Sequence, residues 1–465
     1  MRAKLLSALN EPTDAASLAA LRVLFGIVML GSIVRYFANG WIERFYVQPR
    51  FHFTYWGFGW VAPLPQPWLT ALFVVLGIAA LCIALGLAYR VASITFFVLF
   101  TYVHLLDVSN YLNHYYLVSL LALLLAVLPL HRAYSVDAWL RPSLRSATLP
   151  AWVLWLVRAQ VGLVYFFAGL AKLQPDWLLH GQPLGIWLHA RTDTPLIGPF
   201  LDEPAAALAM SWAGFLYDTT IVAWLLWRRS RPFAYLVVCA FHFLTNVFFN
   251  IGIFPVVMTV AATIFFDPDW PRWLWARVRR RALTRAMRAP GPQRNTIGAL
   301  GLAALSLWVL VHVAVPLRTH LYGGDVLWHD QGMRWSWRVM VREKNGSVTY
   351  RVRLSDEHRG AREVRVTPRK YLNRYQEQEF AGQPDLVLQL AHRIATDYRA
   401  QGFSRVEVRA DAWASLNGRP SARLIDPDAD LASIDDGVMP AAWILPAPEG
   451  PPIRLTSRRE HIAAR

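Results

Sequence analysis

Nine apolar runs, long enough to cross or enter a lipid bilayer, constrain the fold of this chain more than any other feature of its sequence. The runs cover residues 16–38, 67–88, 91–107, 109–130, 151–172, 205–227, 232–249, 252–266 and 295–316. A helix needs about 20 residues to cross the hydrocarbon core. The runs therefore predict an α-helical polytopic membrane bundle of about nine transmembrane helices. Only Asn250-Ile-Gly-Ile separates the seventh and eighth runs, so residues 232–266 form either one broken helix or two short ones.

The distribution of positive charge predicts the orientation of this bundle. The formal net charge is +16, and the basic residues between the runs fall mainly in alternate loops. One set of loops holds Arg2, Lys4, Arg90, Arg132, Arg141, Arg145, Arg228, Arg229, Arg231 and the arginines of 272–294, whereas the opposite set holds little beyond Arg44, Arg50 and Arg191. Because basic loops stay in the cytoplasm, we expect the amino terminus inside and the C-terminal region outside, in the periplasm of a bacterial inner membrane. We interpret 272–294 as a solvated loop and expect membrane lipid, but no nucleic acid, as a partner.

The character of the chain changes near residue 319. We divide it into a membrane domain (1–318), an extracytoplasmic α+β domain (319–446) and a loose, Pro-rich tail (447–465). Alternating polarity on both sides of Asn345-Gly346 predicts a hairpin turn there. Apolar residues at helical spacing predict a helix over 384–401 that stops at Gly402. A strand over 406–413 followed by a turn at Asn417-Gly418 completes the predicted soluble domain.

Familiar catalytic motifs are absent from the sequence. It contains no glycine-rich phosphate loop, no zinc-protease helix, no serine-hydrolase elbow and no paired-cysteine motif. The histidines are scattered, so we expect no metal site. Cys82 and Cys239 fall inside apolar runs and are predicted to be packed free thiols. Met1 begins a segment without a convincing cleavage site, so we expect no cleaved signal peptide.

A lysine at the end of the fifth apolar run is the strongest candidate for chemistry. Lys172 lies where a charged side chain is costly, and such residues are often functional. An amine removed from water can be uncharged at neutral pH and then acts as a base. The alternative is a lysine that extends to the lipid headgroups.

Other polar residues inside the runs predict a polar cavity within the bundle. Tyr165 is seven residues from Lys172 and so lies on the same helix face. The remaining members of the polar set are Asn110, Asn113, His114 and Tyr115 in the fourth run, Arg158 and Gln160 in the fifth, and a stripe of His242, Asn246 and Asn250 in the seventh. The alternative for each is a hydrogen bond between helices.

These residues lie in stretches that resemble the vitamin K-dependent gamma-glutamyl carboxylase family, including its bacterial members with an HTTM membrane domain. The matching stretches are Gly86-Leu-Ala-Tyr-Arg90, Leu106-Asp107 with Asn113-His114, Tyr134-Ser-Val-Asp137, Val164 to Trp177, Phe241-His242 through Phe254, Tyr322-Gly323, Trp335-Ser-Trp337 and Ile425-Asp-Pro427. They run in the family's order from about residue 17 to about residue 445.

The resemblance implies a carbon–carbon lyase with reduced vitamin K as its cofactor, menaquinol being an alternative quinol. O2 oxidises the hydroquinone to the epoxide and generates a strong base. That base removes a proton from the gamma carbon of a protein glutamate, and CO2 adds to the carbanion. The implied partners are a glutamate-containing protein or peptide and the membrane quinone, with no metal.

The resemblance also assigns roles to individual residues. Lys172 matches the family's catalytic lysine, which deprotonates the hydroquinone, and His114 matches a histidine that stabilises developing negative charge. Arg191 matches an arginine of the outer loop and is expected to bind substrate. The residues expected to bind the quinone are Asn113, Tyr165, His242, Asn246, Trp337 and Met340, the last two in a segment that closes over the site from the soluble domain.

Some residues depart from the family pattern. Arg338 and Arg342 stand where the animal enzyme has an acid and a histidine, and Ala171 replaces one of its adjacent lysines. Quinol oxidation is therefore better supported than carboxylation of a particular protein. The alternatives are a quinol epoxidase or oxidoreductase without glutamate carboxylation, and a non-enzymatic quinone- or lipid-binding membrane protein. A transporter would show repeated halves, and the sequence has no internal repeat.

Overall fold

A computed structural model describes residues 1–249, 251–279, 295–356 and 360–452. Within these residues the membrane domain contains the α-helices α1 Arg2–Leu9, α2 Ala16–Ala38, α3 Gln66–Leu85, α4 Tyr89–Leu105, α5 Asn113–Val127, α6 Val136–Leu140, α7 Ala151–Leu170, α8 Pro175–Leu178, α9 Leu184–His189, α10 Gly198–Leu201, α11 Pro204–Leu226, α12 Arg231–Phe248, α13 Phe254–Ala262, α14 Trp270–Val278 and α15 Ala299–Leu317. The soluble domain adds α16 Val326–His329, α17 Arg374–Phe380 and α18 Pro384–Ala400. The strands are β1 Pro12–Asp14, β2 Thr148–Pro150, β3 Lys344–Asp356, β4 Gly360–Val366, β5 Arg405–Leu416 and β6 Ala422–Arg423.

Six of the described helices are long and apolar enough to cross a bilayer, fewer than the nine predicted. They are α2, α3, α7, α11, α12 and α15, the last counted through Leu321. The other three apolar runs form the shorter helices α4, α5 and α13. The fourth run loses its first turn because Asp107 Oδ1 accepts a hydrogen bond from the backbone N–H of Ser109 at 2.8 Å, which caps a short 3-10 turn there. Helix α5 therefore begins only at Asn113.

The seventh and eighth runs form two helices rather than one. Helix α12 ends at Phe248 and α13 begins at Phe254. Gly252 between them has a left-handed backbone with φ of +63°, a conformation that glycine adopts at little cost. The α12–α13 turn lies on the side of the bundle that carries the soluble domain.

The helices pack through small residues. A Cβ atom on Gly26 of α2 would lie 2.6 Å from the backbone oxygen of Ala80 in α3, so only glycine permits this approach. Cys82 and Cys239 are free thiols, as predicted. The soluble domain contacts the bundle at the end of α7, where Gln174 Nε2 donates to the backbone oxygen of Val341 at 3.3 Å. The chain after α7 therefore lies on the side of the soluble domain, in agreement with the predicted orientation.

The soluble domain is a four-stranded antiparallel sheet in the order β4-β3-β5-β6, covered by α18. Leu386, Leu390 and Ile394 of α18 are fully buried against the sheet. The helix ends at Ala400, and Gly402 follows with φ of +94°, which confirms the predicted helix and its stop. The predicted turn at Asn417-Gly418 is also confirmed, since both residues have positive φ, 51° and 83°, between β5 and β6.

The hairpin predicted at Asn345-Gly346 is wrong. Both residues lie inside β3 and pair with Ser415 and Ala414 of β5. Glycine is needed there for a different reason, because a Cβ atom on Gly346 would lie 2.4 Å from the backbone oxygen of Ala381. The partner of β3 on its other edge is β4, which follows after residue 356.

Two predicted irregular segments fall partly outside the described residues. The loop predicted at 272–294 is corrected at its start, because α14 extends through Val278, whereas residues 280–294 lie outside the described part. Arg272 of α14 pairs with Asp14 at 3.1 Å. Residues 453–465 of the predicted tail also lie outside the described residues.

Candidate functional site

An apolar cavity lies inside the membrane domain, beneath the soluble domain. Helices α7, α11, α12 and α13 form its walls, and Val339 and Met340 of the soluble domain enter it from above. The lining residues are Val164, Tyr165, Ala168, Lys172, Trp177, Leu184, Met210, Gly214, Asp218, Phe241, His242, Thr245, Phe249, Ile251, Phe254, Met258, Val339 and Met340. Few of these are polar, which is typical of a site for an apolar ligand with one or two polar atoms.

Lys172 lies in this cavity as one half of an ion pair. Its Nζ atom donates to Asp218 Oδ2 at 2.7 Å and to the backbone oxygen of Ala168 at 3.2 Å. Trp177 covers the ammonium, with its ring centroid 5.3 Å from Nζ. Both charged residues are buried, at 5% exposure for Lys172 and 6% for Asp218. The lysine therefore does not extend to the lipid headgroups.

Sequence reasoning missed Asp218, which lies 46 positions from Lys172. A signal was present, because Asp218 is the one carboxylate within the apolar run 205–227 and such residues usually have an internal partner. Gly169 of α7 allows α7 and α11 to come close enough for the contact between Lys172 and Asp218. A Cβ atom there would lie 3.0 Å from the backbone nitrogen of Thr219, next to Asp218, so α7 and α11 touch backbone to backbone at this level.

A second polar cluster lies deeper in the cavity, about two helical turns from Lys172 along α7. The hydroxyl groups of Tyr165 and Tyr217 each lie 3.4 Å from His242 Nε2. The other ring nitrogen, Nδ1 of His242, is buried and has no hydrogen-bond partner among the described residues. Buried polar atoms normally have a partner, so this nitrogen is a candidate contact for a bound ligand. The structure thus brings Tyr165, His242 and Lys172 together, as expected from their pattern.

His114 lies beside the cavity without lining it. It is buried at 5% exposure, and its ring centroid is 5.9 Å from that of Phe254. Phe254 in turn lies 6.1 Å from the ring of His242 and separates the two histidines. Asn113 accepts a hydrogen bond from the Tyr111 hydroxyl at 3.1 Å.

A strap of residues 335–340 from the soluble domain closes the cavity. Trp337 is 1% exposed and stacks on Tyr116 with ring centroids 4.8 Å apart, and Met340 lines the cavity. Trp335, Trp337 and Met340 all have left-handed backbones, with φ of 63°, 60° and 53°. Bulky residues rarely adopt this conformation, and it is held where the surroundings require it, often at functional sites.

Other candidates lie elsewhere. Asn246 and Arg191 are exposed and do not line the cavity, so His242 alone lines it among the described members of the predicted stripe. Asn250 lies outside the described residues. Arg158 binds the backbone oxygens of Ile264 and Phe266, and Gln160 accepts from Trp308, so both serve helix packing. The described residues include no cluster of three or more His, Cys, Asp or Glu that could hold a metal.

A second ion pair fixes the soluble domain beside Lys172. Asp176 accepts two hydrogen bonds from Arg419, at 2.6 and 2.7 Å, and one from Asn417 at 2.9 Å. Burial of the Asp176 carboxyl would raise its pKa, but the hydrogen bonds from Arg419 and Asn417 lower the pKa below its ordinary value overall. The neighbouring Trp177 donates to the backbone oxygen of Ser211 at 2.7 Å. The turn after β5 therefore holds the segment that covers the lysine.

The fold and the site define a polytopic membrane protein whose buried Lys–Asp pair lies in an apolar cavity under a sheet domain. Residues 10–270 match the HTTM domain family, and residues 298–450 match the lumenal domain of vitamin K-dependent gamma-carboxylase. The chain therefore belongs to the vitamin K-dependent gamma-glutamyl carboxylase family, as its resemblance indicated. It is a carboxylase-like membrane protein, and no solved structure matches it.

Proposed function

We propose that the chain is an integral-membrane vitamin K-dependent gamma-glutamyl carboxylase. It would couple the oxidation of reduced vitamin K, or of menaquinol, by O2 to the addition of CO2 to a glutamate of a protein or peptide. The observation that carries the proposal is the burial of Lys172 beside Asp218 in an apolar cavity of a carboxylase-family chain. The HTTM fold and the soluble-domain match support the same activity.

The residues of the cavity fit a quinol. An aromatic, largely apolar ligand with two oxygen atoms matches the apolar lining of this cavity, which has polar groups at two levels. Lys172 and Asp218 form one level, and Tyr165 with the unpartnered His242 Nδ1 forms the other. Trp337 and Met340 would close the site over the ring. When bound, the quinol and O2 supply the strong base that no side chain can provide.

Lys172 would take the first proton. An amine accepts a proton only when it is neutral, so the reacting form would be a neutral Lys172 amine that donates a hydrogen bond to the ionised carboxylate of Asp218. The proton leaves the quinol hydroxyl and converts the amine into an ammonium ion. Asp218 then provides its counter-charge at 2.7 Å, so the same carboxylate orients Nζ before the reaction and stabilises the charge after it.

The enclosing groups would keep water out. Trp177 and Trp337, at 3% and 1% exposure, separate the cavity from the solvent. A carbanion reacts readily with water, so its lifetime depends on such exclusion. Arg191 is proposed as a contact for the substrate outside the cavity. His114 packs against Phe254, which lines the cavity. It would reach the ligand only after movement of the Phe254 ring.

The experiment is a double assay on purified full-length protein in detergent. Reduced vitamin K, O2, labelled bicarbonate and a short glutamate peptide are supplied, and epoxide and fixed label are measured together. We expect both products from the wild type, and a loss of at least about 100-fold in both for Lys172→Ala, since general-base catalysis contributes at least that factor.

Lys370→Ala is the matched control, because Lys370 is an exposed lysine of the soluble domain. It should retain both activities. Full activity in Lys172→Ala with an intact melting transition would reject the assigned role of the lysine. Epoxide without fixed label from several glutamate peptides would reject carboxylation while keeping quinol oxidation.

A further inference from the structure

A second crevice, of about 210 Å³, lies behind the loop that carries Lys172. Its membrane-side wall is apolar and is formed by Phe167 and Leu170 of α7 and by Pro316 and Leu317 of α15. Leu317 is 40% exposed, and the neighbouring Leu173 is 61% exposed. Exposed leucines on membrane-spanning segments face hydrocarbon. The crevice is therefore open to the lipid phase.

The opposite end of the crevice is polar and positive. Arg338 and His320 line it together with Gln174, and no carboxylate is among its described lining residues. Arg338 Nη2 makes a 3.4 Å hydrogen bond to Thr319, but its Nε is buried without a partner in the described part of the chain. Asp325 is an acidic residue whose charge acts on Arg338, but the unmet Nε donor at the end of an apolar groove can still bind an anion.

Helix α15 leaves this surface uncovered. Only 11% of its most apolar window is buried, against 61% for α7. A hydrogen bond of 3.1 Å from Trp308 to Gln160 joins the two helices at mid-height. Towards the soluble domain, residues of both helices line the crevice, which forms a groove for a chain of lipid.

We propose that this crevice binds one anionic phospholipid, with the phosphate on Arg338 and an acyl chain along the groove between α7 and α15. The charge at one end and the hydrocarbon-facing wall at the other match the two parts of that molecule. A soluble anion would leave the apolar wall unused. The site does not depend on the proposed enzymatic function.

A lipid in this crevice would lie next to the cavity that contains Lys172. Ala171 and Arg338 line the crevice, whereas their neighbours Lys172 and Val339 line the cavity. The backbone at residues 171–172 and at residues 338–339 therefore separates the crevice from the cavity. A lipid in the crevice holds both the lysine loop and the closing strap in place.

Native mass spectrometry of the full-length protein tests this site with phosphatidylglycerol and phosphatidylcholine of identical acyl chains. We expect a preference for phosphatidylglycerol at one site, and an affinity about tenfold lower in Arg338→Gln, which is the order of one charged hydrogen bond. Arg35→Gln is the matched control, because Arg35 is an exposed arginine in the last turn of α2. It should bind like the wild type.

Equal retention of the two lipids, or an unchanged preference in Arg338→Gln, would overturn the proposal. Complete displacement of the lipid by an equal concentration of glycerol 3-phosphate would also overturn it, in favour of a water-soluble anion. If Arg338→Gln does not fold, Leu317→Trp fills the groove from the lipid side without touching the charge. That variant should lose phosphatidylglycerol while keeping its melting temperature, and retention of the lipid would count against the site.

Discussion

At the scale of single residues, Asp218 determines how Lys172 can act. A lone lysine in this cavity would become a buried, unpaired charge as soon as it accepted a proton. The carboxylate at 2.7 Å removes this difficulty, because it balances the charge of the ammonium ion. The sequence identified Lys172 as unusual, but it could not identify its partner. The contact joins residues on different helices, and only the approach at Gly169 brings them together.

Asp218→Asn should reduce hydroquinone oxidation about 100-fold while Lys172 remains in place. Proton transfer would then leave a buried ammonium ion without a counter-charge, which costs several kcal/mol. Stopped-flow or steady-state measurement of epoxide, together with a melting curve, separates this effect from unfolding. Thr220→Val on the same helix is the control, because Thr220 is exposed and bonds only to the backbone oxygen of Leu216. Wild-type rates in Asp218→Asn would show that the pair has only a structural role.

At the scale of elements, local sequence patterns predicted the positions of helices and turns better than they predicted helix lengths or strand pairing. Helix α18 and the turn at Asn417-Gly418 followed from spacing and turn residues alone, since both are determined locally. The length of α5 did not, because the Asp107 cap places the first residues of the run 109–130 in a 3-10 turn. The strand β3 was misread at Gly346 because glycine serves both turns and close backbone contacts, and a sequence does not distinguish these uses.

Gly346→Ala should destabilise the soluble domain by about 2 kcal/mol, as expected for overpacking against a rigid neighbour. The new methyl group would meet the backbone oxygen of Ala381 at 2.4 Å, and backbone cannot move aside as a side chain can. Thermal unfolding followed by circular dichroism measures the loss. Ser347→Ala at the next, exposed position of β3 should change stability little. Equal stability of the two variants would contradict the close approach of Gly346 to the Ala381 backbone.

At the scale of the whole molecule, the two domains meet at the cavity and depend on each other there. Asp176 and Arg419, with side-chain exposures of 11% and 13%, form a bidentate charged contact between them. The membrane domain supplies the charged pair, and the soluble domain supplies the strap and the clamp on the covering segment. Neither the depth of this contact nor its partners could be predicted from sequence, since they depend on how two separately patterned regions dock.

Arg419→Gln should lower the stability of the docked state by about 3 kcal/mol at pH 7, because it leaves a buried carboxylate unpaired. The pKa of Asp176 is lower in the folded protein than its unfolded value of about 4. The Asp176–Arg419 pair therefore contributes its full stabilisation above about pH 4. This stabilisation is lost as the pH falls through the lower pKa that Asp176 has in the folded protein. Melting temperatures of the wild type and variant should converge in acid. Arg423→Gln, which changes an exposed arginine nearby, should have the melting temperature of the wild type at every pH. If the difference in melting temperature between the wild type and Arg419→Gln does not narrow in acid, the role assigned to the Asp176–Arg419 pair is wrong.

The orientation of the molecule can be tested with single cysteines. In a background with Cys82→Ala and Cys239→Ala, an impermeant maleimide added to intact cells should label Ser404→Cys, which is exposed in the soluble domain. It should reach Lys4→Cys only after the membrane is opened, since the amino terminus is predicted to be cytoplasmic. The reverse labelling pattern would exclude the predicted topology.

The entry of Val339 and Met340 into the cavity has a consequence for biosynthesis. The ribosome completes all cavity-lining membrane helices before it reaches these two residues, and the cavity stays open until the strap has been made, exported and folded. During this interval the Lys172–Asp218 pair is in contact with water. The dry interior of the cavity therefore forms only after the soluble domain has been synthesised and translocated.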